Sequence, residues 1–289
     1  MLFRLLLPLL LVLTSAAMAA TPQLLLDVAR FRTLAAGNNY EVEIYATVPG
    51  NGLIYVKRAP GSFQAAAVVT LQVLKANGQA AYSETITLKP PVIGDTTIDL
   101  KNPQSFLKRI TLPAGQYTVR GELRDQYRKS ATPTRVEQPL ALNFAASGPV
   151  LSDLVFLARP ASQTTAQSNF TRGNYLLTRT PGGNYARGAE QLYFYLELYQ
   201  VPGGQPLKLH YHLESEEGAA ADADAAIAET KSGRPTPVAG ELPLGPLPAG
   251  AYTLTVEVRN AAGKVLATQK GSLQRRSQEY APEGASLPR

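Results

Sequence analysis

Leu112-Pro113-Ala114-Gly115-Gln116-Tyr117-Thr118-Val119 and, later in the chain, Leu247-Pro248-Ala249-Gly250-Ala251-Tyr252-Thr253-Leu254 are two copies of one pattern. Each reads as a turn that feeds a strand: proline fixes one backbone dihedral, glycine admits positive φ, and apolar residues then recur with period two. Tyr117, Val119 and Leu123 alternate with Thr118, Arg120, Glu122 and Arg124, and Tyr252, Leu254, Val256 and Val258 alternate with Thr253, Thr255, Glu257 and Arg259. One face of each strand is therefore buried and the other wet. A tyrosine just past a turn at the start of such a strand matches the tyrosine corner of immunoglobulin-like sandwiches, whose hydroxyl bonds back to the upstream backbone. Two copies, at Tyr117 and Tyr252, predict an all-β chain of two tandem immunoglobulin-like or fibronectin III-like β-sandwiches.

Outward from these motifs, Tyr40 to Val48 alternates cleanly, and Gln191 to Val201 places Leu192, Phe194, Leu196 and Leu198 on one face and Tyr193, Tyr195, Glu197 and Tyr199 on the other. Asn77-Gly78, between two apolar runs, predicts a type I′ hairpin. The segment from Arg159 to Gly188 is polar and long for a loop, which marks it as functional or disordered. Glu214 to Gly233, rich in alanine and acidic, reads as a loop or short helix. These signals divide the chain into 1–19, a signal peptide; 20–145, a first sandwich; 146–150, a linker; 151–274, a second sandwich; and 275–289, a disordered tail.

Arg4, the apolar run Leu5 to Leu13 and the small residues Ser15 to Ala20 carry the signal-peptide reading, with cleavage after Ala19. The run is too short to span a membrane, no cysteine follows it to carry a lipid, and no later stretch is long and apolar enough for a transmembrane segment. With no cysteine in 289 residues, disulfides and thiolate metal sites are excluded and stability rests on apolar burial. The net charge of +6 is modest and its basic residues are scattered, which argues against nucleic acid as a partner.

Taken together, Leu26-Asp27-Val28-Ala29-Arg30-Phe31, the aromatic strand Leu192 to Tyr199, both Leu-Pro-Ala-Gly-x-Tyr corners and Leu273-Gln274-Arg275-Arg276-Ser277 resemble the N-terminal region of bacterial exported proteins that carry a GWxTD domain. The resemblance implies a β-sandwich fold and a location in the cell envelope. In that family a mostly helical segment with Gly-Trp-x-Thr-Asp comes next. This sequence contains no tryptophan, so no activity of that segment carries over.

Chemical signals are sparse. His210 and His212, the only histidines, share one face of a strand, but the sequence implies no third ligand, and they read as part of an exposed polar face; no metal or other cofactor is assigned. Tyr193, Tyr195 and Tyr199 share a face that would either stack on sugar rings or pack against a neighbouring element. Glu216, Glu217, Asp222 and Asp224 lack the pattern of a calcium loop. No nucleophile elbow, phosphate loop or zinc-type histidine spacing occurs. The leading expectation is a non-enzymatic exported protein, periplasmic or extracellular, whose sandwiches bind another envelope protein or a surface polymer. A carbohydrate-binding module using the tyrosine face is the alternative, and a glycoside hydrolase working through paired carboxylates a third.

Overall fold

The computed structural model describes residues 21–33, 39–98, 101–129, 132–145, 147–186, 188–201, 203–204, 206–218, 220–227, 230 and 233–277. The expected signal peptide lies outside these, as do Ala146 of the linker and the tail from 278 on.

The chain is all-β and forms two sandwiches of the same strand order. In the first, β1 (Leu25–Arg32), β2 (Asn39–Val48) and β5 (Gln104–Pro113) make a three-stranded sheet in the order β1-β2-β5. It packs on a four-stranded sheet, β4-β3-β6-β7, of β3 (Ala67–Lys75), β4 (Ala80–Leu88), β6 (Gly115–Asp125) and β7 (Thr134–Leu142). In the second, β9 (Gln191–Tyr199) lies between β8 (Val155–Leu157) and β12 (Thr236–Pro243), with Val150–Leu151 pairing further along β9. The facing sheet runs β11-β10-β13-β14, from β10 (Leu207–Ser215), β11 (Ala220–Ile227), β13 (Gly250–Asn260) and β14 (Val265–Arg275). First, second and fifth strands against fourth, third, sixth and seventh is the fibronectin III arrangement, and it occurs twice.

Each sandwich has its own core, drawn from Leu24 to Leu142 in the first and from Leu151 to Leu273 in the second. The repeat motifs open β6 and β13. The Tyr117 hydroxyl donates to the Pro113 carbonyl at 3.1 Å and that of Tyr252 to the Pro248 carbonyl at 2.7 Å. Both hydroxyls thus tie the start of the sixth strand of their sandwich to the turn before it.

Several local expectations are corrected. The hairpin at Asn77-Gly78 forms, but its loop spans three residues: Lys75 N–H donates to Gln79, Gly78 N–H to Lys75, and only Gly78 has positive φ, at 80°. That is a type I turn closed by a left-handed glycine rather than type I′. Within Glu214 to Gly233, β11 replaces the expected loop or helix. Its alternation is unusual, with Ala221, Ala223, Ala225 and Ile227 against the core and Asp222 and Asp224 outward. Alanine's low strand preference concealed it. β12 was not anticipated either, because Pro237, Gly240 and Pro243 interrupt its pattern. It is an edge strand, where proline is tolerated, and Gly240 is required there because a Cβ would sit 2.3 Å from the Phe194 ring.

The segment between β8 and β9 is neither structureless nor a plain loop. It holds short strands at Ser162–Gln163, Thr171–Arg172 and Tyr175–Leu176, a tight turn at Pro181–Gly183, and Asn184–Tyr185, which pairs in parallel with β14. This insertion sits between the β1-β2-β5 sheet and the sheet built around β9, with Arg172 reaching Glu41 of one and Glu197 of the other.

Candidate functional site

The most concentrated chemistry of the molecule lies where those two sheets and the insertion meet. β2 is buried on both faces: Val42, Ile44, Ala46 and Val48 enter the first core, while Glu43, Tyr45 and Thr47 point the other way and are equally inaccessible. β9 mirrors it, with Leu192, Phe194, Leu196 and Leu198 inward and Tyr195, Glu197 and Tyr199 buried outward. A small apolar cluster bridges the sandwiches, formed by Ala29 and Phe31 of β1 with Val155, Leu157, Leu177 and Tyr195.

A balanced ionic network runs through this layer. Glu43, fully buried, accepts from Arg109 Nε at 2.7 Å and Arg172 at 3.0 Å, and pairs with Arg179. Arg172 grips Glu197 through two bonds, Nε to Oε1 at 2.6 Å and the second guanidinium nitrogen to Oε2 at 3.0 Å, and pairs with Glu41. Its guanidinium stacks on Phe31, 3.3 Å from the ring centroid. Tyr195 and Tyr199 both donate to Glu197, at 3.1 and 2.5 Å. Tyr199 also accepts the Arg32 N–H at 3.1 Å. Three arginines thus face three glutamates. Burial alone would raise the Glu43 pKa, but the guanidinium groups of Arg179, Arg172 and Arg109 outweigh it and hold the carboxyl below its ordinary value. Tyr195 and Tyr199 are pushed well above the normal phenol range, by burial first and by Glu197 next.

Arg172 and Arg179 both belong to the insertion, so this segment pins strands of both sandwiches. Further along, Arg30 of β1 holds Asp153 through Nε at 2.8 Å and a second nitrogen at 2.7 Å, and Asp153 N–H returns to the Arg30 carbonyl at 3.1 Å. Beside this pair opens a polar cleft of about 360 Å³, lined among others by Asp27, Gln138, Thr180 and Lys270. Asp27 accepts the Gly182 N–H there at 2.8 Å. Its pKa is raised, because burial outweighs that bond and the nearby Arg179.

The sugar-stacking reading of Tyr193, Tyr195 and Tyr199 is therefore incorrect. Tyr195 and Tyr199 are 1% and 3% exposed, and Tyr193 is half-buried beside the same cluster. Tyr195 lies 5.9 Å from the Tyr175 ring and Tyr199 6.3 Å from Phe144. The other expected residues, His210 and His212, are far from this layer by topology, on the outer face of the β11-β10-β13-β14 sheet, and are half-buried. Asp222 holds the His212 pKa above its ordinary value. The sequence signal missed for the buried layer was the pair of arginines in the insertion; only the fold shows that Glu41, Glu43 and Glu197 await them.

No family model and no curated protein matches this chain. Among solved structures, it is similar to a red sea bream transglutaminase (12% identity, TM-score 0.24, 88% of this chain and 31% of that one). A Bacteroides uniformis β-glucuronidase gives 8%, 0.29, 87% and 32% in the same terms, and dimeric latent PorU from Porphyromonas gingivalis 11%, 0.31, 90% and 21%. The chain spans about a third or less of each of these proteins, at a similarity that carries no functional argument. No helix among the described residues is long and apolar enough to cross a membrane.

Proposed function

We propose that this is a non-enzymatic, exported envelope protein of the kind the GWxTD resemblance implies, in which two sandwiches locked into one body present loops and sheet faces to another envelope protein or a surface polymer. The observation that supports this reading is the fate of the buried charges. Glu43, Glu197, Arg172 and Arg179 saturate one another, which suits a rigid joint and leaves no poised acid, base or nucleophile among them. Exported proteins meet no cytoplasmic chaperone after delivery, and a joint built from a buried network keeps a two-domain adaptor at fixed geometry. The test is capture: the protein, immobilised and exposed to envelope extract of its source bacterium, retains a discrete protein or polymer at several ionic strengths. Retention of nothing above background at every salt concentration contradicts the proposal.

A further inference from the structure

The register of the β10–β11 hairpin supplies what the sequence did not, a third group for the two histidines. Asp224 lies opposite His210 and Asp222 opposite His212. The alanines between them face the core, so both carboxylates share the solvent face with the imidazoles. Asp222 Oδ1 is 2.7 Å from His212 Nδ1 and 3.7 Å from His210 Nε2. Asp224 Oδ1 is 2.9 Å from His210 Nδ1, and Glu214 Oε2 is 3.4 Å from His212 Nε2. On the other side, β13 sets Glu257 beside His210 and Thr255 beside His212. As the side chains stand, the carboxylates engage the imidazoles pairwise, and no three donors among the described residues surround a common point.

We propose that His210, His212 and Asp222 form a surface site for a divalent ion of the zinc class. A tetrahedral centre with metal–ligand bonds of about 2.0–2.2 Å keeps its donor atoms roughly 3.3 Å apart. The two nitrogen–oxygen separations at Asp222 Oδ1, 2.7 and 3.7 Å, bracket that value. Closing the difference takes shifts of about half an ångström, in a carboxylate that is 55% exposed and imidazoles that are 23% and 34% exposed. His210 would bind through Nε2 and His212 through Nδ1. Asp224, on the remaining nitrogen of His210, then becomes the outer partner that fixes the ring. Two imidazoles and a carboxylate suit zinc, and discriminate against magnesium and calcium, which prefer oxygen alone. Three protein ligands leave the fourth position to water. The ion would also cross-link the edge strand β11 to β10 across the outer face of the sheet.

Calorimetric titration of Zn²⁺ alone into the full-length, tag-free protein tests the assignment. The expected result is saturable one-to-one binding that Mg²⁺ does not reproduce. His212→Ala and Asp222→Asn should each weaken it by about tenfold or more, while Asp224→Asn, acting from outside the ligand set, should weaken it less. Circular dichroism of each variant confirms that the sheet persists. Absence of saturable binding to the wild-type protein overturns the proposal, as does wild-type affinity in folded His212→Ala and Asp222→Asn.

Discussion

Asp27 illustrates how a single half-buried carboxyl acts against the sandwiches it helps to join. Burial raises its pKa from 3.8, so the unfolded chain ionises it more readily than the folded one does. Stability from this group is present below the unfolded value and is lost as pH rises through the folded one. Asp27→Asn keeps an oxygen for the Gly182 N–H and removes the charge. It should raise the melting temperature at pH 7, with the gain over wild type closing as pH falls through the raised folded value toward 3.8 and gone below it. Glu43 carries the opposite sign: its lowered pKa adds stability above the ordinary glutamate value that disappears as acid reaches the folded one. Because both proteins contain Glu43, its contribution cancels in their difference. A gain that persists undiminished at pH 3 would contradict the burial argument. At this scale the corner tyrosines were legible in the sequence, since proline, glycine and tyrosine within five residues define the bond locally. The environment of Asp27 was not, because it depends on Gly182, 155 positions away.

The insertion is the element that decides the joint, and its sequence gave only a boundary condition, a polar stretch too long to be idle. β9 was legible as a strand, yet its outer face, Tyr193-x-Tyr195-x-Glu197-x-Tyr199, has the composition of a wet surface. What makes it dry is the guanidinium of Arg172, and periodicity within a strand carries no information about such a partner. The docking makes a quantitative claim. Glu43→Gln leaves Arg179, 6% exposed, without a full counter-charge and should cost about 3–5 kcal/mol, read by urea unfolding. Replacing both partners, as in Glu43→Met with Arg179→Met, removes the stranded charge and should recover most of that loss. If the double variant is instead as unstable as the sum of the singles, the pair is not coupled and the insertion is held by something else. β11 and β12 mark the limits of sequence reading from the other direction: Ala-Ala-Asp-Ala-Asp-Ala-Ala-Ile and a strand with two prolines become strands because a neighbour's edge demands them, against their own propensities.

At the scale of the molecule, the presence of two sandwiches followed from the repeated corners, but their strand order and their relation to each other did not. A short Ala-Ser-Gly-Pro linker suggests two bodies that unfold separately. The structure instead shows the β1-β2-β5 sheet and the sheet built around β9 facing each other across the insertion, with Arg30–Asp153, the Arg172 grip on Glu197 and Glu41, and the Phe31–Tyr195 cluster spanning the divide. An interface this buried and this charged couples the two cores, since opening it strands ions from both sides. The corner tyrosines provide the probe, one in each core and neither in the interface. Tyr117→Phe and Tyr252→Phe each delete one hydrogen bond, at about 1–3 kcal/mol, and keep the ring. Scanning calorimetry of the wild-type protein should show one transition, and both substitutions should lower that same transition. Two resolved transitions, with each substitution moving only its own, would contradict the joint.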